Sequence, residues 1–274
     1  MQCSTEATQR PRDGRGHVVA RARDDGRTIV TSSQATSPLR FTRPTFPGSR
    51  AGAVCLITFG GGLVDGDAID VHVRVERGAT LVVFTQATTK AFRGSTSQAL
   101  RADVEGTLVL LPDPVACFAG ARYRQRVDVT LEGEGSAVLL DGFTSGRPAY
   151  GERWAFSAID LSTTVRRGDR VIVRDALRLE AGALEVAPRM DRFEALATLI
   201  AAGPRVETIM RGLLDPSVCT RDLVAAPSAL SRPGEAAAIA RIAATSPSAA
   251  LDEARRRLRN LPDIDVVDPF VSRY

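Results

Sequence analysis

Four short phrases in this chain begin alike, with a glycine, one or two small or polar residues, and then an apolar run rich in β-formers. They read GATLVVF from Gly78, GTLVLL from Gly106, GSAVLLD from Gly135 and GDRVIV from Gly168, at intervals of 28, 29 and 33 residues. A near-constant period of strand-like content is the mark of stacked units, each burying its apolar face on the next. Ahead of the first phrase, Ile69, Val71, Val73 and Val75 alternate with Asp70, His72, Arg74 and Glu76, the pattern of a half-buried strand. The order of strand, Glu/Gly turn and apolar strand recurs around Gly106 and Gly135. The expectation is a mainly-β chain of repeated hairpin-like units, as a β-solenoid or two layered sheets. Polar words lie between the units (TQATTK, LPDPVACFAG and SGRPAYGERW) and decorate the scaffold, which favours a binding role.

Bulk properties narrow the class. At 274 residues, 44% hydrophobic, the chain has room for one large domain, or one domain plus a lobe. No run approaches the roughly 18 apolar residues of a membrane span. The opening MQCSTEATQRPRDGRG has no apolar core of a secretory signal, so a cytoplasmic protein with no membrane partner is expected. Net charge is +4, but every cation except Lys90 is arginine or histidine, and both signs are spread along the chain. Nucleic-acid binding needs a clustered basic patch, and none is present. Cys3, Cys55, Cys117 and Cys219 form no CxxC pair, so neither a disulfide framework nor a zinc site is implied. Three read as buried small hydrophobes, and Cys117, inside a polar word, is the exception. His17 and His72 are single, far apart in sequence, and read as structural. No preformed high-affinity metal site is expected.

Along the chain, residues 1–14 read as disordered and 15–274 as one domain, with a β-rich body to about 185 and a mixed α/β portion over 186–274. Strands are expected at His17–Ala22, Thr28–Thr31 and Ala53–Phe59, with an irregular loop over 41–50. Helices are expected at Glu207–Leu214 and at Ser248–Asn260, the latter capped by its serine. Ala236–Ala244 fits helix or strand equally well. Residues 263–274 read as an extended tail.

The motifs divide into bland and functional readings. Gly60–Asp67, GGGLVDGD, lacks the Lys-Ser/Thr of a phosphate loop, and its Asp67 repels phosphate, so it reads as a tight turn whose backbone approaches a neighbour. Lys90, beside Thr85, Gln86, Thr88 and Thr89, reads as part of a polar rim. Arg122, Arg124 and Arg126 alternate along one strand face, suited to an acidic partner or to solvent. Arg147 and Glu152 are placed to pair across a Pro-Gly turn, and Trp154 is either a core plug or an interface anchor. Gly-x-Ser-x-Gly is absent and no carboxylate pair stands out, so catalysis is unsupported.

Taken in order, Gly61-Gly62…Gly66-Asp67, Thr85…Thr89-Lys90, Leu111-Pro112, Ala121…Gln125, Gly146-Arg147…Gly151-Glu152 and Leu177…Leu179-Glu180 resemble the urease accessory protein family called UreD or UreH. The resemblance implies a helicoid-like, largely β, non-enzymatic scaffold. It implies binding to urease apoprotein and to an all-helical UreF-like partner, which recruits a nickel-carrying UreG-like GTPase. It also implies an internal nickel(II) route with no tightly bound cofactor. Transfer requires weak, oxygen-rich sites. On the matching motifs, Asp67, Thr85, Gln86, Asp141, Glu152 and Glu180 are the candidate lining groups, with Lys90 and Arg147 as further partner-binding candidates. Neutralising Asp141 or Glu180 is expected to spare complex formation and lower urease activation. The rival readings are a β-scaffold with another client and a β-helical polysaccharide enzyme; low aromatic content argues against the second.

Overall fold

The structure, a computed structural model, describes residues 13–182, 185–232 and 235–269. The chain opens with β1 (Asp13–Ala22), β2 (Thr28–Ala35), β3 (Leu39–Thr42) and β4 (Gly52–Thr58). The repeated units follow as β5 (Ala68–Val75) and β6 (Thr80–Thr85), the short β7 (Lys90–Ala91), then β8 (Gly94–Val104) and β9 (Thr107–Leu111). After β10 (Val115–Cys117) come β11 (Ala121–Leu131) and β12 (Ser136–Thr144), a small ribbon of β13 (Gly146–Arg147) and β14 (Glu152–Arg153), then β15 (Ala158–Arg167) and β16 (Arg170–Glu180). The last part holds α1 (Val186–Met190), β17 (Ala195–Ala202), α2 (Glu207–Leu213), β18 (Val218–Cys219), β19 (Leu223–Arg232), β20 (Glu235–Ala244) and α3 (Pro247–Arg257).

The units stack, but they are not hairpins. Each sends its first strand into one sheet, ordered β16-β15-β11-β8-β5-β1-β2, and its second into another, ordered β18-β19-β20-β17-β12-β9-β6-β4-β3. Like strands of successive units pair in parallel, β5 with β8 with β11 and β6 with β9 with β12. This is the mainly-β stacked architecture expected, with the glycine turn acting as a corner between sheets. The reason lies in the corners. Thr107 N donates to Ala79 O at 2.8 Å and Ser136 N to Gly106 O at 2.9 Å, so one corner rests on the previous one. A Cβ on Gly106 would run into the carbonyl oxygens of Ala79 and Glu76, and one on Gly135 into those of Val104 and Glu132. Glycine recurs because backbone must touch backbone there. The phrase at Gly168 breaks the series: it turns β15 back into antiparallel β16 within the first sheet.

Three layers result. Val71, Val73, Leu100, Val127 and Val129 of the first sheet meet Leu81, Val83, Leu108, Leu110 and Leu139 of the second. The alternate residues Val82, Phe84, Val109, Leu111, Val138 and Leu140 face α2 and α3 through Ile209, Met210, Leu213, Ala250, Ala254 and Leu258. Buried on both faces, β9 reads as a continuous apolar run, as parallel strands in a covered sheet do. The outer face of the first sheet stays in water and carries cross-strand ion pairs such as Arg101–Asp70 and Arg126–Asp160.

Several local expectations change. Asp13 and Gly14 begin β1, while residues 1–12 lie outside those described. The strand at Thr28 runs on to Ala35, and Phe41 and Thr42, expected in a loop, pair with β4. Ala236–Ala244 is strand, paired antiparallel with β17 and β19, and Ala238, Ala240 and Ala244 are buried against the helix layer. Ser246, not Ser248, caps α3 by accepting from Ala249 N at 3.1 Å, since Pro247 already occupies the first turn. Leu261–Ile264 forms a 3-10 turn where the tail was expected to be extended, and residues 270–274 lie outside the described part. Cys117 is fully buried, its thiol pushed up to about 12 by burial, whereas Cys219 is exposed; Cys3 lies outside the described residues. Trp154 is a core plug, 5% exposed and edge-on to Phe143 and Phe156.

Candidate functional site: a polar seam between the sheets

Into the apolar layer between the sheets intrude Gln98, Tyr123, Gln125 and Asp141. Gln98 and Gln125 are register partners on β8 and β11, with the inward parity of Leu100 and Val127. Asp141 has the inward parity of Leu139 on β12. Tyr123 Oη lies 2.6 Å from Gln98 Oε1 and 2.7 Å from Gln125 Oε1, and Gln125 Nε2 donates to Asp141 Oδ1 at 2.8 Å. A hydroxyl has one proton. Because Gln125 turns its NH₂ to Asp141, its carbonyl takes the Tyr123 proton, and Gln98 must turn its own NH₂ to the phenol oxygen. The chain Gln98–Tyr123–Gln125–Asp141 is then satisfied from end to end, as an internal polar group must be.

Burial sets the charge states. It holds the Tyr123 phenol well above its ordinary range, with Cys117 and Asp141 adding to the shift. Burial likewise pushes Asp141 up to about 6, against the stabilising bonds from Gln125 and from Gly142 N–H, while Asp175 adds to the rise. Asp141 touches cavity space yet is packed round by protein, so it is poorly hydrated. Its carboxyl therefore exchanges a proton close to neutral pH.

Two cavities meet this chain of bonds. One, of about 230 Å³, is lined by Thr85, Gln86, Lys90, Gln98, Asp113 and Gln125, and Gly61-Gly62 form part of its wall. The other, of about 330 Å³, is lined by Asp141, Thr163, Asp175, Thr198 and Arg241. The Gln125–Asp141 bond thus joins the wall of one to the wall of the other. The second sheet supplies Asp141, Thr198 and Arg241 as successive register partners on β12, β17 and β20. Arg241 Nη2 reaches Asp175 Oδ1 at 2.5 Å across the gap to the first sheet. At the first cavity Thr85 Oγ1 donates to Asp113 Oδ2 at 3.1 Å and accepts from Asp113 N at 2.9 Å. Gly62 lies so close to the Lys90 carbonyl that a Cβ would collide with it, which is the near approach expected of the glycine loop.

The residues singled out by sequence separate into three places. Thr85, Gln86 and Lys90 line the first cavity and Asp141 the second. Asp67 closes its own turn by accepting from Val64 N at 2.9 Å, and lies beside a shallow outer cleft that also contains Glu180. Glu180 pairs with Arg178 at 2.8 Å and Arg122 at 3.7 Å on the water-facing side, so its place suits partner contact and not an internal lining. Arg147 and Glu152 pair across the ribbon at 2.6 Å. The Arg147 guanidinium lies 4.1 Å from the Phe118 ring centre, and Glu152 accepts from Ala119 N at 3.3 Å. The Arg147 bonds hold the Glu152 carboxyl below the usual range. This is a clamp, away from both cavities.

Sequence reasoning passed over Gln98, Tyr123, Thr163, Thr198, Asp175 and Arg241, and used Gln125 only as the end of a family motif. The signal was present: Gln98 and Gln125 stand at apolar-parity positions in clean alternations. What sequence could not supply was that the two strands are neighbours with those positions in register. Among the described residues no three His, Cys, Asp or Glu side chains cluster as a metal site. The seam offers neutral oxygens and one carboxylate, a donor set suited to brief contacts with a hard or borderline cation.

Fold and seam together define a mainly-β stacked scaffold with a hydrogen-bonded polar seam between its two sheets. The family model for the UreD urease accessory protein matches residues 12–263, and the chain belongs to that family. It is 41% identical over 95% of its length to the "Urease accessory protein UreD" of Sorangium cellulosum, covering 84% of that protein. A protein of the same name from Anaeromyxobacter is 36% identical over 98% of this chain and 93% of its own. The "Urease accessory protein D" of Arabidopsis thaliana is 34% identical over 68% of this chain and 67% of its own.

Proposed function

We propose that this chain is a urease maturation scaffold. It binds urease apoprotein together with an all-helical accessory protein and the nickel-carrying GTPase that protein recruits, and it lets nickel(II) reach the urease centre. It works in the cytoplasm, catalyses no reaction itself and holds the metal only in passing. Family membership supports the client. The observation that supports the route is the Gln98–Tyr123–Gln125–Asp141 chain, which joins the walls of two cavities through a largely apolar layer.

The chemistry suits transfer. Amide, phenol and threonine oxygens bind a divalent cation weakly, and a tight cage would stop it. Asp141, with its carboxyl raised to about 6, takes either a proton or a cation, so the two compete for one oxygen. The test is co-expression of the cognate urease subunits and accessory proteins with and without this chain, followed by a nickel count on purified urease. Nickel-poor, inactive urease in its absence, with co-purification in its presence, is the expected result. Fully loaded urease without the chain would overturn the reading.

A further inference from the structure

The chain has two histidines, and the fold sets them side by side. His17 on β1 and His72 on β5 are register partners on adjacent parallel strands, 55 positions apart in sequence. Their ring centres are 5.5 Å apart. Both project from the outer face of the first sheet, the opposite side from the polar seam. His72 Nε2 lies 2.8 Å from Asp103 Oδ2 on the next strand, and the His72 side chain is 43% exposed. Among the described residues His17 has no hydrogen-bond partner.

We propose that His17 and His72 form an outer-face site for a divalent transition-metal ion of the nickel, copper and zinc group. Imidazole is a preferred ligand for these ions. Two imidazoles on one ion, with metal–nitrogen bonds of about 2.0–2.1 Å, have ring centres about 4.6–5.3 Å apart. The observed 5.5 Å must close by about 0.2–0.9 Å, within reach of side-chain rotation. Asp103 supplies the supporting contact. Accepting from His72 Nε2–H, it fixes the tautomer that leaves the Nδ1 lone pair for a metal, the usual arrangement behind a ligating histidine.

The surrounding charges allow a cation. Arg101, the register partner of His72, is held on Asp70 at 2.8 and 3.1 Å, and Arg74 reaches Glu105 at 3.7 Å. Arg15 and Gln34 flank His17 on β1 and β2, and Arg21 is held by Glu76 at 2.8 Å. Four carboxylates, Asp70, Glu76, Asp103 and Glu105, thus share this face with the arginines. Water completes the coordination, so the site loads from solution and exchanges readily.

This inference stands apart from the interior route and does not need urease to be the client. Nickel(II) is titrated calorimetrically into the full-length chain and into His17→Ala, His72→Ala, the double variant, Asp103→Asn and Asp141→Asn. One binding event is expected to weaken at least tenfold in either single histidine variant and to vanish in the double. Asp103→Asn should weaken it about tenfold, and Asp141→Asn should leave it unchanged. Copper(II) on the wild-type chain should show electron-spin hyperfine structure from two imidazole nitrogens, reduced to one in each single variant. Both histidines lie on the water-facing side of the sheet, and thermal melts are to check that each variant is folded. An isotherm unchanged in the double variant overturns the proposal, as does an event lost in Asp141→Asn and kept without the histidines. Failure of the co-expression test would leave this titration untouched.

Discussion

Asp141 lines its cavity with Thr163, Thr198, Asp175 and Arg241, and burial raises its carboxyl towards neutrality. Its folded pKa of about 6 stands above the ordinary aspartate value near 3.9, so the folded chain binds more protons than the unfolded one between those values. The stability it contributes is intact below about pH 4 and is lost as pH rises through about 6. Asp141→Asn lacks this titration. At pH 7.5 it should be more stable than wild type by about 1–3 kcal/mol, with the gap closing near pH 4, as read by thermal denaturation. Equal melting temperatures at pH 7.5 would mean that the native carboxyl is well hydrated. Arg257 offers a second test. Its side chain is 0% exposed and donates to Glu253 Oε1 at 2.7 Å and to the carbonyls of Leu213, Asp215 and Pro216. Arg257→Met strands those carbonyls where α2 meets α3 and should cost about 3 kcal/mol or more in denaturant unfolding.

At the scale of the element, the corners carry the repeat. A side chain at Gly106 meets the carbonyls of the corner beneath, whereas one at Gly133 meets no atom within 4 Å and is limited only by a φ of 54°. Gly106→Ala should therefore destabilise by about 3 kcal/mol or more through forced backbone movement, and Gly133→Ala by about 1 kcal/mol. Similar losses in both, measured by urea unfolding, would remove the stacked-corner account of the repeat. Period and alternation made the strands and their faces legible. Neither separates a hairpin turn from a corner between sheets, because both use a glycine after a charged residue and before a strand. The Gly168 phrase looks like its predecessors and makes a true hairpin. The alanines of β20 gave no preference either, and strand pairing with β17 decided them.

For the whole molecule, the second sheet lies between the polar seam and the helix layer, and the outer face of the first sheet meets water. Substitutions on these surfaces should separate. Asp141→Asn and Gln125→Leu should keep the chain in its complex with urease and accessory proteins but lower the nickel recovered on urease several-fold. Glu180→Gln, on the water side and paired with Arg122 and Arg178, should leave loading per complex unchanged. Nickel counts together with the amount of co-purified chain distinguish the two effects. Equal loading in all three variants would remove the interior route while leaving the scaffold role to the co-expression test.

The sequence by itself determined the strand content of the repeated units, the inward and outward parity of clean alternations such as β5 and, through ordered motifs, the family. Those properties are local, set by side-chain alternation and by glycine where backbone must approach backbone. Only the tertiary structure decided that successive strands enter different sheets, that Gln98 meets Gln125, that Asp141 closes the seam and that His17 stands beside His72. Each of these depends on register between strands distant in the chain, and register follows from how whole units stack.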